Sequence, residues 1–118
     1  MKIEERKEIP LYRSSYSLFL LILRIIKEVK KEYKYSIGEK LREEVMELIK
    51  NICGANKRSD KEERKKKIEM AESNVETIIL LCRVLFDVGE ISLKKHAQIS
   101  EMVENISRQL SGWKKSVK

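Results

Sequence analysis

The sequence predicts an all-α protein, an antiparallel up-down bundle of four helices, on three observations. The chain of 118 residues holds four Gly and one Pro, so backbone breakers are scarce. Apolar residues recur at three- and four-residue steps, and no run alternates with period two for long. The segments between these periodic stretches are short, which makes consecutive helices antiparallel neighbours.

Each helix has its own signals. Pro10 fits the first turn of a helix, where its missing N–H costs nothing. From there Leu18, Leu21, Ile22, Ile25, Val29 and Tyr33 form one face. Phe19, Leu20, Leu23 and Ile26 widen it until the middle is apolar nearly all round, as in a helix central to a core or one that also faces another subunit. The stretch YKYSIGEK interrupts the pattern, and Ser36 with Glu39 has capping-box spacing for a second helix. That helix runs through Leu41, Val45, Leu48, Ile49 and Ile52, with Gly54 as its expected stop. A third helix is expected from Ser59, boxed by Glu62, with Ile68, Ala71, Val75, Ile78, Ile79, Cys82 and Leu85 on its apolar face and Gly89 at its end. A fourth starts at Ser92, and Ile99, Val103, Ile106, Leu110 and Trp113 make a narrow bundle seam.

Size and composition fit one domain over residues 10–118, preceded by a charged lead-in at 1–9. Apolar residues make up 42% and charged residues 38%, too apolar for a disordered tail. The net charge of +7 points to a polyanionic partner. Cys53 and Cys82 lie within apolar helical patterns without CxxC spacing and read as buried small hydrophobes rather than a disulfide or metal pair. The charged N-terminus is no signal peptide, and the longest uncharged run, Ser14 to Leu23, is too short for a bilayer. A cytoplasmic protein without membrane contact is the expectation.

Catalytic patterns are missing. His96 is the lone histidine, with no Glu three residues before it, so the Glu-x-x-His di-metal pattern of bundles is absent. There is no Gly-rich phosphate loop, nucleophile elbow or zinc spacing. Most carboxylates have a cation three or four residues away, the spacing of helix-surface pairs. The expectation is a protein that is not an enzyme and uses neither cofactor nor metal.

The stretch NKRSDKEERKKK carries seven cations and three anions. By itself it is either a solvated helix start or a phosphate-contacting turn. Lys57 and Arg58 fall in the expected loop, and Arg64, Lys65 and Lys66 follow on the third helix. Further cations cluster at Lys27, Lys30, Lys31 and Lys34, and again at Arg108, Lys114, Lys115 and Lys118. An antiparallel bundle divides these clusters between two patches. Tyr12, Tyr16, Tyr33 and Tyr35 could stack on bases, but no RNP motif surrounds them, so binding would be through phosphates.

Several stretches carry a resemblance. YSIGEKL opens the second helix, NICGANKR closes it, GEIS precedes the fourth, and RQLSGWKKS ends the chain. Together, over residues 10 to 117, they resemble the accessory variability proteins of diversity-generating retroelements. Those belong to a wider four-helix-bundle family that includes proteins encoded in intervening sequences of 23S rRNA genes. Arg108, Leu110, Gly112, Trp113 and Lys115 stand as in an Arg-x-Leu-Gly-Gly-Trp-x-Lys ending, with Ser111 in place of the first glycine.

The resemblance implies a non-enzymatic homopentameric barrel that binds RNA or DNA and associates with the retroelement's reverse transcriptase in mutagenic cDNA synthesis. On it, Lys57, Arg58, Arg64, Lys65, Lys66, Arg108, Lys114 and Lys115 become the expected phosphate contacts. Trp113 becomes a core or subunit plug, and Gly112 a point of close approach to a neighbour. An intervening-sequence-type bundle without a polymerase partner and a purely structural interaction module are the alternatives.

Overall fold

The computed structural model describes residues 9–117. The expected lead-in at 1–9 therefore lies outside the described residues except for Ile9, as does Lys118. The elements are α1 (Pro10–Glu28), α2 (Lys31–Tyr33), a π-helical turn (Lys34–Gly38), α3 (Glu39–Lys57), α4 (Lys61–Asp87) and α5 (Leu93–Ser116). α2, the π turn and α3 run on without a break, so the long elements number four and no strand occurs among the described residues.

The helices form a square. α1 packs against α3 and α5, and α4 packs against the same two. The directions alternate. Gln109 Nε2, late in α5, donates to Ser14 Oγ early in α1 at 3.1 Å, and Lys114 near the end of α5 reaches Glu72 in the first half of α4 at 2.9 Å. The result is 43 Å long and 29 by 21 Å across.

The predicted stripes are the core. Leu18, Ile22, Leu41, Leu48, Ile52, Ile68, Ile78, Leu85, Ile99, Ile106 and Leu110 are fully buried. Such side chains contribute about 1.5–3 kcal/mol each when removed from water. α1 departs from the expectation of a central helix. Tyr16, Leu20 and Leu23 form an exposed outer strip at a spacing of four and three, while Leu18, Leu21, Ile22 and Ile25 face inward. Ile79 is likewise exposed rather than on the inner face of α4.

Three expected helix boundaries hold, the first being Pro10, which opens α1. Gly89 takes φ +80°, the left-handed conformation open to glycine, and the chain closes a Schellman turn there. Gly89 N–H donates to the Phe86 carbonyl at 3.0 Å and Glu90 N–H to that of Leu85 at 2.8 Å. Ser92 caps α5, its Oγ accepting from Lys95 N–H at 3.1 Å.

Four boundaries differ. The first helix stops at Glu28, not beyond Tyr33, because Val29 and Lys30 are extended. The cap there comes from far along the chain: Lys30 N–H donates to Glu90 Oε1 at 2.7 Å. Ser36 is not a cap. It lies inside the π turn, and its hydroxyl donates back to the Glu32 carbonyl at 2.8 Å. Gly38 ends that turn in close quarters, where a Cβ would stand 3.3 Å from both Ile26 Cγ2 and the Tyr33 carbonyl oxygen. Gly54 does not stop its helix, which runs to Lys57. Asp60, not Ser59, caps α4 by accepting from Glu63 N–H at 3.3 Å.

Polar groups inside the bundle are few. Asn51 Nδ2 donates to Asn74 Oδ1 at 2.7 Å, and Asn74 Nδ2 to Glu44 Oε1 at 2.9 Å, a ladder that fixes the register of α3 on α4. Ser15 is fully buried and its Oγ has no partner. Replacing it by Ala removes a desolvated hydroxyl without opening a large void. Ser15→Ala is expected to raise unfolding free energy in urea by about 1 kcal/mol, and Asn51→Ala, which strands Asn74, to lower it by about 1–3 kcal/mol.

Candidate nucleic-acid interface

Antiparallel packing gathers one end of the bundle from the C-termini of α3 and α5 and the N-terminus of α4. All eight cations expected at phosphates lie toward this end. α3 and α4 are joined by Arg58, Ser59 and Asp60 alone, so the first turns of α4 return directly along the last turns of α3. A groove of about 650 Å³ runs over them, with Lys50, Lys57, Arg58 and Lys67 on its walls and Tyr12 from α1 at its side. Tyr12 stacks on Tyr16 at 6.2 Å between ring centres. Gly54 lies under the methylenes of Lys67, whose Cδ is 3.4 Å from the place of a Cβ. The bare backbone of α3 thus forms a seat for the Lys67 stem.

The eight expected cations fall into two kinds. Four are held by partners within the chain. Arg64 closes the open end of α3, its Nε donating to the Ala55 carbonyl at 3.2 Å and its Nη2 to the carbonyl of Arg58. Arg58 Nε stands 3.3 Å from Glu63 Oε1, and Arg108 Nη1 stands 2.7 Å from Glu104 Oε1. Lys114 Nζ is 2.9 Å from Glu72 Oε1. That hydrogen bond, with the charge of Glu72 behind it, raises the ammonium's pKa. The other four, Lys57, Lys65, Lys66 and Lys115, are exposed and have no ion pair among the described residues.

These cations do not form one row. Lys57 and Arg58 line the groove between α3 and α4. Lys65 sits two turns before Glu72, on the flank of α4 that faces α5. Two groove residues, Lys50 and Lys67, were outside the sequence expectation. Lys50, Gly54 and Lys57 share a face at steps of four and three, a signal the sequence does contain. The pairing of Lys67 with Gly54 is a contact between helices and leaves no such trace. The cluster at Lys27, Lys30, Lys31 and Lys34 stands at the opposite pole, so the division into two patches holds.

The tail residues divide as well. Trp113 is half-buried and packs on the edge of the core, above Ile9, Pro10 and Leu11. Gly112 is exposed and nothing stands within 4 Å of where its Cβ would be, so no close approach within the chain requires a glycine there.

Residues with catalytic potential have other employment. His96 stacks on Phe86, ring centres 4.6 Å apart. It borders a groove of about 340 Å³ between α4 and α5 that also holds Ile79, Cys82 and Val103. Burial pushes the Cys82 thiol up to about 12, which removes it as a nucleophile near neutral pH. Both cysteines are free. Among the described residues no group of three or more His, Cys, Asp or Glu could hold a metal ion, and no helix is long and apolar enough to cross a membrane.

Comparison with known proteins gives two positive findings. A family model described as bAvd-like matches residues 11–117. A 1.70 Å crystal structure of a protein of unknown function from Bacteroides thetaiotaomicron, assigned to the S23 ribosomal protein family, superposes with a TM-score of 0.83. The two sequences are 15% identical, and the match covers 90% of this chain and 96% of the other, a likeness of fold. No curated protein matches the chain.

Two measurements check the site as built. Arg64→Ala is expected to destabilise the bundle by about 1–3 kcal/mol in urea, because two terminal carbonyls of α3 lose a charged donor. Lys at that position, with one nitrogen for two carbonyls, restores only part of the loss. With a thiol reagent at pH 8, the half-buried Cys53 is expected to react in the native protein. Cys82, about four units below its pKa and only about one part in 10⁴ thiolate, should react only after unfolding.

Proposed function

From the premise that the chain belongs to the bAvd-like family, we propose that it is a non-enzymatic accessory protein of a diversity-generating retroelement. In this reading it binds the template RNA or its cDNA through phosphates and associates with the reverse transcriptase during mutagenic retrohoming. It works in the cytoplasm as a homopentamer, without cofactor or metal. Five copies of a chain of charge +7 would surround the assembly with about +35.

The observation that carries the binding reading is the α3–α4 pole. Its groove places Lys50, Lys57, Arg58 and Lys67 around one trough, and Lys65 and Lys66, without ion pairs among the described residues, stand at the same pole outside that trough. Within the groove the lone carboxylate is Glu47, which stands 3.5 Å from Lys50. Cations on three turns of two helices can follow a phosphate backbone without reading bases, so the binding tolerates sequence. The exposed strip Tyr16, Leu20 and Leu23 on α1 supports a subunit contact, since an apolar strip of this kind gains by being covered.

The test is fluorescence anisotropy of a structured RNA, titrated from about 50 to 200 mM salt. Four single-strand phosphate contacts correspond to a slope near −2.8 and a loss of about 50-fold in affinity over that range. The triple variant Lys57→Glu, Lys65→Glu, Lys66→Glu spares Arg64 and is expected to lose at least tenfold in affinity while its melting temperature stays within a few degrees. Unchanged binding would remove this pole from the function, and absence of binding by the native chain at low salt would remove nucleic acid altogether. Co-purification with the reverse transcriptase tests the partner, and a monomer at micromolar concentration would count against the ring.

A further inference from the structure

The pole opposite the groove is built from the end of α1, the start of α2, the π turn and the α4–α5 link. It carries a second set of cations. A cleft of about 490 Å³ lies between α1 and α5, with Arg24, Lys27, Lys95 and one exposed carboxylate, Glu28, on its rim and Ser92, the cap of α5, in its wall. Arg24, Lys27, Lys31, Lys94 and Lys95 are exposed and have no ion pair among the described residues. Glu90 also lines the cleft, but its side chain is 7% exposed and it serves the fold, accepting from Lys30 N–H. That bond ties the start of α2 to the cleft, so Lys31 and the turn that follows adjoin it.

The turn adds an aromatic surface. Tyr33 and Ile37, one turn apart, pack on the core. Tyr35 lies midway between them and so on the outer face of the turn. Its side chain is 67% exposed, more than any other aromatic among the described residues. Lys31 is one turn before Tyr35 and Lys34 is its neighbour. An open ring with Lys31 and Lys34 close by, and Glu32 as the exposed carboxylate between them, suits a strand whose bases are free to stack while its phosphates meet lysine. A duplex hides its base faces and offers only the phosphates.

We propose that this opposite pole is a second, independent site for single-stranded nucleic acid, with Tyr35 as the platform for an unpaired base and Arg24, Lys27, Lys31 and Lys95 at the phosphates. One chain then holds two strand segments at the ends of a 43 Å rod. The proposal rests on the reading that this chain binds nucleic acid, and the test separates the two. A labelled single-stranded hexanucleotide, too short to reach both poles, is titrated into the native chain and into variants charge-reversed at one pole. Two strands per chain are expected for the native protein. The Lys57→Glu, Lys65→Glu, Lys66→Glu variant is expected to keep one, and Tyr35→Ala in that background to weaken it at least tenfold while Tyr35→Trp does not. The reciprocal Lys27→Glu, Lys31→Glu, Lys95→Glu variant should also keep one strand, now insensitive to Tyr35→Ala.

One strand per native chain, lost entirely in the first variant, would overturn the second site and leave the proposed function intact. No strand bound by the native chain would overturn both. Residual binding of a short duplex as tight as that of the single strand would overturn the stacking assignment. Binding of polyglutamate equal to that of the oligonucleotide would mean that an acidic protein surface occupies this pole instead.

Discussion

Three residues between α3 and α4 constrain the rest of the molecule. A helix of 19 residues followed after so short a link by one of 27 can only fold back along it. The return lays the Asn51–Asn74–Glu44 ladder across the seam. A shift of one residue would break both bonds and leave polar groups unpaired in a part-buried interface. With that register fixed, Lys67 lands on Gly54 and Arg64 reaches the open carbonyls at the end of α3. The groove is therefore a consequence of how one helical hairpin closes.

Antiparallel packing also sorts charge along the rod. The interior takes the apolar stripes, and the cations collect toward the two poles. Part of that placement has a purely structural cause. Lys57, Lys114 and Lys115 occupy the last turns of their helices, where the macrodipole favours positive charge, and Glu62 and Glu63 occupy the first turn of α4, where it favours negative charge. Lys61 stands in the first turn of α4 and Lys94 and Lys95 in that of α5, against the dipole.

The junction between α1 and α2 shows a different dependence. Two extended residues, Val29 and Lys30, turn the chain from one helix to the next, and Val29 is buried while doing so. Glu90 caps this break from the far side of the α4–α5 turn. That carboxylate is in position because Gly89 accepts a left-handed backbone and Ser92 starts α5 immediately after. The two connections at this pole thus support each other, and the π turn that exposes Tyr35 follows directly from them.

Much was legible from residue order alone. Periodicity identified all four long helices and nearly all of their buried residues, because an apolar stripe at 3.6-residue spacing has to be covered whatever the partner. Gly89 and Ser92 were legible as boundaries because their caps close within five residues. Ser36, Gly54 and Ser59 misled for the complementary reason. Each had the right local form, but a stronger contact elsewhere fixed the boundary: Glu90 for the first, and the hairpin carried on to Lys57 and capped by Asp60 for the others. The sequence by itself determined the helices, their inner faces and the surplus of cations, all properties of neighbours along the chain. Only the tertiary structure decided which cations are spent on carbonyls and carboxylates, which share a groove, and which stand at opposite poles, because those depend on distances between helices that no spacing in the sequence encodes.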